Sequence, residues 1–148
     1  MDDELVDRAS ELLLSLIPLY HNTILKHGNV ISGIQAAQFR VLHVLSMHGM
    51  QRMSGIGRRL YISKPYMTAL VDSMIENGYV RRQPDPKDRR VIRIVITGKG
   101  RSRLSTMAAL MKNDISRDLS SLNSNDLELL CRSLTDLRAV LEKIPEGK

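Results

Sequence analysis

From Asp2 to about Lys26, apolar residues recur every three or four positions: Leu5, Leu12, Leu16, Leu19 and Ile24, with Leu13, Ile17 and Tyr20 beside them. This spacing predicts a long amphipathic helix. Pro18 should kink it or remove one ladder bond, and His27-Gly28-Asn29 ends it. The apolar stripe is too wide for a lone surface helix and predicts a packing partner.

Ser32-Gly33-Ile34-Gln35 reads as a capping box. The second helix then runs to about Met47, with Phe39, Leu42 and Leu45 facing inward and Gly49 as its stop. Met50 to Met53 is short enough for a small strand. Ser54 can cap a third helix, Gly55 to Leu60, in which two glycines each cost about 1 kcal/mol relative to alanine. Ser63 caps a fourth helix, with Pro65 in its first turn where the missing N–H is harmless. That helix reaches Asn77 and stops at Gly78. Met67, Leu70, Val71 and Met74 sit on it at core spacing.

The periodicity then changes from helical to alternating. Tyr79 to Gln83 and Val91 to Ile96 read as two strands, with Ile92, Ile94 and Ile96 on the buried face. They join through Pro84-Asp85-Pro86-Lys87-Asp88-Arg89-Arg90, a hairpin with a long tip. Thr97 can cap a fifth helix with Leu104, Met107, Met111, Ile115, Leu119 and Leu122 in one stripe. Asn123 to Asp126 forms a break and a new cap. The last helix carries Leu127, Leu130, Leu134, Leu137 and Leu141 to about Lys143.

The expected fold class is therefore mainly α with a small β-hairpin (α+β). It is a helix-turn-helix followed by a wing, with N- and C-terminal helices left over. Residues 1–148 are expected to form a single domain. A winged helix-turn-helix lobe covers approximately 32–100, and residues 1–28 plus 101–148 form a helical lobe.

Charge changes this picture from architecture to partner. The chain has 148 residues and a net charge of +6. Arg52 to Arg103 holds 13 Lys/Arg against 4 Asp/Glu, a net of +9, and the remainder holds 9 bases against 12 acids, a net of −3. A basic middle between acidic flanks points to an anionic partner docking on one part of the molecule. Aromatic content is only 3%, so the core must be aliphatic and methionine-rich, and stacking of single-stranded RNA is disfavoured. No apolar run approaches the roughly 18 residues of a membrane span. The acidic start and the single Cys131 fit a soluble, cytoplasmic protein.

Catalytic chemistry finds no support. There is no glycine-rich phosphate loop, and Gly98-Lys99-Gly100 is not one. His21, His27, His43 and His48 lack metal-ligand spacing, so no metal and no cofactor is expected. Cys131 has no basic cluster beside it in sequence and reads as packing. The protein is not expected to be an enzyme.

DNA suits the pattern. A helix fits the major groove, with its N-terminal residues reaching base edges. A wing with a cationic tip lies against phosphate or enters the minor groove, whose potential attracts arginine. On the fourth helix, Lys64 and Thr68 lie near the N-terminal end, able to bond bases or phosphates. Tyr66 can bond phosphate or pack on a sugar, and Pro65 and Ala69 complete the outward face with Asp72. Ser63 is first a cap, with a phosphate contact as a second role. Arg58, Arg59, Arg81, Arg82, Lys87 and Arg93 are candidates for phosphate contact or for plain solubility.

Helix 63–77, then Gly78-Tyr79-Val80, then Asp85-x-x-Asp88-Arg89-Arg90 and Ile96-Thr97-x-Lys99-Gly100, together resemble the MarR family of transcriptional regulators. The family's wing pattern is Asp-x-Arg, a short strand, then Leu-Thr-x-x-Gly; Ile96 replaces the leucine here. The resemblance covers nearly the whole chain. It implies a homodimeric winged helix on a pseudo-palindromic operator in double-stranded DNA, acting as a repressor. Two-fold symmetry would set the recognition helices roughly 34–36 Å apart. It also implies Asp88 as the carboxylate that orients an arginine, and Arg90 as the minor-groove residue with Arg89 as the neighbouring alternative. Ala69 stands where the family often has arginine, which shifts weight to Lys64 and the wing. Family members release DNA on binding small anionic or phenolic ligands between the two lobes. Tyr20, His21, Arg40, His43 and Met47 are the candidates for such a cleft, and packing of the joint is an equal alternative. A nonspecific, architectural winged-helix protein without a ligand is the alternative function.

Overall fold

The computed structural model describes residues 2–20, 22 and 33–145. Six helices and one hairpin follow in order: α1 (Asp3–Tyr20), α2 (Gly33–His48), α3 (Met53–Leu60), α4 (Lys64–Glu76), β1 (Val80–Pro84), β2 (Ile92–Ile96), α5 (Gly98–Leu119) and α6 (Ser124–Leu141). The end of the first helix at 27–29, the Ser32 end of the capping box and His21 lie outside the described residues.

The core sits where α2, α3, α4 and the hairpin meet. Val41, Leu42 and Leu45 of α2 close against Ile56 of α3, against Met67, Leu70, Val71 and Met74 of α4, and against Val80, Ile94 and Ile96 of the hairpin. All four expected core positions of α4 are buried. Helical spacing fixes this: residues at 67, 70, 71 and 74 share one stripe. Met107 is the buried apolar anchor of α5.

The strands pair antiparallel, Val80 with Ile96 through Pro84 with Ile92. Ile94 and Ile96 are buried as expected, but Ile92 is exposed. Its position opposite Pro84, next to the tip, carries it past the edge of the helices beneath. The small strand expected at 50–53 reduces to one bridge: Gln51 N–H donates to the Ile94 carbonyl at 3.1 Å, and Ile94 N–H returns the bond at 2.7 Å.

That bridge also moves the start of α3. The chain stays extended through Arg52 (φ −65°, ψ 143°) and turns helical at Met53, so Ser54 lies inside the first turn and does not cap it. Ser63 does occupy the N-cap position of α4, but its hydroxyl makes no capping bond. Thr97 and Asn123 cap as expected, accepting from the N–H of Gly100 at 3.0 Å and of Asp126 at 2.9 Å. Gly49 (φ 72°) and Gly78 (φ 75°) take the left-handed conformation that ends α2 and follows α4. No residue of α1 or α6 is buried within the chain.

Candidate nucleic-acid interface

Two elements carry the candidate DNA residues, and the core described above holds both. The first is the N-terminal turn of α4. The α3–α4 connection turns at Tyr61, a non-glycine residue in the left-handed region (φ 54°), and Ile62 N–H bonds back to the Gly57 carbonyl at 2.9 Å. Ser63, Lys64, Pro65, Tyr66 and Ala69 are all exposed on the resulting face. Thr68 is half-buried and donates its hydroxyl to the Lys64 carbonyl at 3.0 Å, which leaves its lone pairs for an incoming donor. The unused Ser63 hydroxyl and the Lys64 ammonium stand together at the start of the helix, where an anion is favoured by the helix dipole.

The second element is the wing, where two carboxylates set the geometry. Asp85 is buried, 6% exposed. Its Oδ1 accepts the N–H of Lys87 at 2.7 Å and of Asp88 at 3.2 Å, and its Oδ2 pairs with the Arg93 guanidinium from β2. The Lys87 N–H, then the Arg93 guanidinium, hold the Asp85 carboxyl below the ordinary carboxylate range. Arg93 is thus tied to the wing's own carboxylate through its Nε. The turn closes with Asp85 N–H on the Val91 carbonyl at 2.8 Å and Val91 N–H on the Asp88 carbonyl at 2.9 Å.

At the tip, Asp88 Oδ1 accepts the Arg90 backbone N–H at 3.1 Å and the Arg90 Nε at 3.3 Å. The Arg90 side chain is nevertheless 93% exposed. Asp88 thus fixes where the side chain begins while leaving the guanidinium's far edge open. Lys87 and Arg89 flank it, also exposed.

The remaining cations fall into distinct settings. Arg82 bonds Asp72 of α4 at 2.7 Å and ties the wing's first strand to that helix. Arg59 is half-buried and contacts His48 Nε2 at 2.9 Å. Arg58 is exposed on α3. Of the five residues considered for a ligand cleft, Tyr20, Arg40, His43 and Met47 are exposed. His43 stacks on Phe39, with ring centroids 6.0 Å apart. Arg40 donates to the Leu60 carbonyl at 2.7 Å, at the end of α3. Sequence reasoning missed the Asp85–Arg93 pair; the eight-residue separation across a hairpin whose register was still open gave no signal for it. Among the described residues no group of histidines, cysteines and carboxylates is placed to hold a metal ion. No helix among them is long and apolar enough to cross a membrane.

The fold and the wing define a winged helix-turn-helix protein. A family model described as "MarR family" matches residues 32–91. The chain is 31% identical over 98 residues to the HTH-type transcriptional regulator YkoM of Bacillus subtilis, covering 66% of this chain and 64% of YkoM. It is 26% identical over 137 residues to the HTH-type transcriptional repressor YetL of the same organism, covering 89% of this chain and 82% of YetL. A solved MarR family protein from Bacillus stearothermophilus superposes with a TM-score of 0.71 at 23% identity, over 97% of this chain and 99% of that one. Residues 32–91 match the MarR family of transcriptional regulators, which are DNA-binding proteins and not enzymes.

Proposed function

We propose that this protein is a sequence-specific, double-stranded DNA-binding repressor that acts as a homodimer on a pseudo-palindromic operator. The observation that carries the reading is the wing tip: Asp88 holds the base of Arg90 while the guanidinium stays 93% exposed. A carboxylate in a phosphate-facing loop lowers affinity through repulsion unless it positions a cation, and here it does. The exposed N-terminal turn of α4, with Ser63, Lys64, Pro65, Tyr66, Thr68 and Ala69, supplies the major-groove reader. Arg58, Arg59 and Arg82 are assigned to phosphate, with Lys87 and Arg89 beside the minor groove. That YetL is named a repressor supports the sign of regulation.

Release by a small anionic or phenolic ligand belongs to the same reading. A ligand engaging Arg40, with His43 and Met47 further along α2, has a short path to the recognition helix, because Arg40 also holds the Leu60 carbonyl just before the α3–α4 turn. A second reading, nonspecific architectural binding, is favoured by Ala69, which offers no hydrogen bond on the reading face.

Selection from a random duplex pool separates the two. An inverted repeat with half-sites one turn apart, bound roughly 10³-fold more tightly than scrambled DNA, supports the regulator; binding without a preferred sequence overturns it. On the selected duplex, Arg90→Ala should weaken affinity by roughly 5- to 150-fold. Arg132→Ala, which removes the same charge from exposed α6, should change it far less. Equal losses would remove the wing from the interface.

A further inference from the structure

Among the described residues three take a left-handed backbone conformation: Gly49, Gly78 and Tyr61 (φ 54°). Two are glycines, which adopt it without a Cβ penalty. Tyr61 departs from that rule. It closes α3 as a glycine would: its N–H bonds the Arg58 carbonyl at 3.3 Å, and the Ile62 N–H bonds the Gly57 carbonyl at 2.9 Å. A glycine would close this turn with less strain, because a bulky side chain in the left-handed region crowds its own backbone.

Nothing within the fold offsets that strain. Tyr61 is 96% exposed, and its hydroxyl bonds no group among the described residues. The turn is anchored by its neighbour Ile62, which packs against the core. Strain held by an exposed residue beside a candidate interface points to a partner outside the chain. The surroundings give the chemistry of that partner. Tyr61 lines one cleft with Arg58 and Lys64, and no carboxylate lines it. No ion pair among the described residues involves either cation. A phenol, a guanidinium and an ammonium on one surface are all donors, and together they suit an anionic oxygen.

We infer that Tyr61 is a further DNA contact, donating its phenolic O–H to a backbone phosphate at the edge of the groove that α4 enters. It stands before the N-cap Ser63, outside α4, whereas base edges are met by N-terminal residues of the recognition helix itself. Its role is to fix the register of the protein on the duplex and not to read a base. Being neutral, it acts without releasing a counterion, which separates it from Arg58 and Lys64 beside it. The inference rests on the DNA-binding reading above.

The test uses the full-length protein and the selected duplex. Tyr61→Phe keeps the ring and removes the donor. It should weaken binding about tenfold, equally on selected and scrambled DNA, and leave the slope of log affinity against log salt unchanged. Lys64→Gln should reduce that slope by about one. Tyr61→Gly should bind no better than Tyr61→Phe, while its thermal midpoint rises by about 2–4 °C as the strain is relieved. Single neutral methylphosphonates placed along the duplex locate the partner: at one position the loss should be clearly larger for the wild type than for Tyr61→Phe. Wild-type affinity in Tyr61→Phe would overturn the proposal, whatever Tyr61→Gly does, because the hydroxyl would then hold nothing. A reduced salt slope in Tyr61→Phe would assign the loss to a displaced cation, and a lowered midpoint in Tyr61→Gly would make the tyrosine part of the fold; either overturns it. A wild type that binds no duplex would overturn the DNA-binding reading itself, and the Tyr61 contact with it.

Discussion

At the scale of single residues, the tightest constraint in the DNA-binding part falls on Gly100. It sits in the first turn of α5, where its N–H is held by the Thr97 hydroxyl, and Thr97 in turn bonds the carbonyls of Gly78 and Tyr79 at 2.6 and 3.0 Å. A Cβ on Gly100 would collide with the Tyr79 carbonyl oxygen and come within 3.0 Å of Ile96 Cγ1. The first of these is backbone and cannot swing away. Gly100→Ala should therefore destabilise the protein by about 1–3 kcal/mol, the usual range for forced overpacking. Urea denaturation measures it directly, and a midpoint within error of the wild type would show that α5 can lift off the hairpin without cost. In the sequence the threonine is legible as a cap, while Gly100 enters only through the family's wing pattern; its close approach to Tyr79 emerges from the fold. Ser63 shows where such reasoning stops. Serine before a helix predicts a cap, yet its hydroxyl makes no capping bond, because side-chain rotation at an exposed site is not decided by local sequence.

At the scale of elements, the tip of the wing, unlike its strands, is ordered by a carboxylate and not by apolar burial. Ile92 is exposed, Pro84 opposite it is exposed, and the loop from Pro86 to Arg90 has no buried residue. Asp85 takes the place of a core there, through the Lys87 and Asp88 N–H groups and Arg93. Its carboxyl is lowered below its ordinary value, first by the Lys87 N–H. A lowered folded value means that the stabilisation is fully present above the unfolded value, near pH 4, and is lost as pH falls through the folded one. The Lys87 and Asp88 amide resonances should accordingly stay fixed from neutral pH down to about pH 4 and move toward unstructured positions below it. In Asp85→Asn the acid transition should vanish and the resonances should already be displaced at neutral pH. An identical acid transition in Asp85→Asn would assign the order of the wing to another group. The hairpin, the four-residue stripe of α4 and the caps at Thr97 and Asn123 could be read from periodicity and residue type. The start of α3 could not, because the Gln51–Ile94 bridge that sets it joins segments more than forty positions apart. The Asp85–Arg93 pair was hidden for the same reason: strand register decides which charges meet, and composition does not contain register.

At the scale of the whole molecule, the apolar surface is in the wrong place for a monomer. Leu5, Leu12, Leu14, Leu16, Ile17 and Leu19 of α1 are each 42–65% exposed, and Leu129, Leu134 and Val140 of α6 are 55–57% exposed. Exposed apolar surface of this kind along two helices marks an interaction face, and it lies entirely outside the segment 32–91 that matches the family model. A second copy of the chain is the partner the proposed function requires, since it covers these helices and brings a second α4 to the DNA. Leu12→Glu combined with Leu134→Glu should leave the winged-helix core intact, because neither residue contributes to it. The variant should sediment as a single 16.7 kDa chain, where the wild type sediments at twice that mass. Joining two readers makes the second contact intramolecular, which raises affinity for a two-half-site duplex by roughly 10²–10⁴-fold over one half-site. The variant should lose that factor on the full operator while binding an isolated half-site as the wild type does. Loss on both duplexes would mean that α1 and α6 support the reader itself; loss on neither would mean that one copy suffices and that these helices meet some other surface.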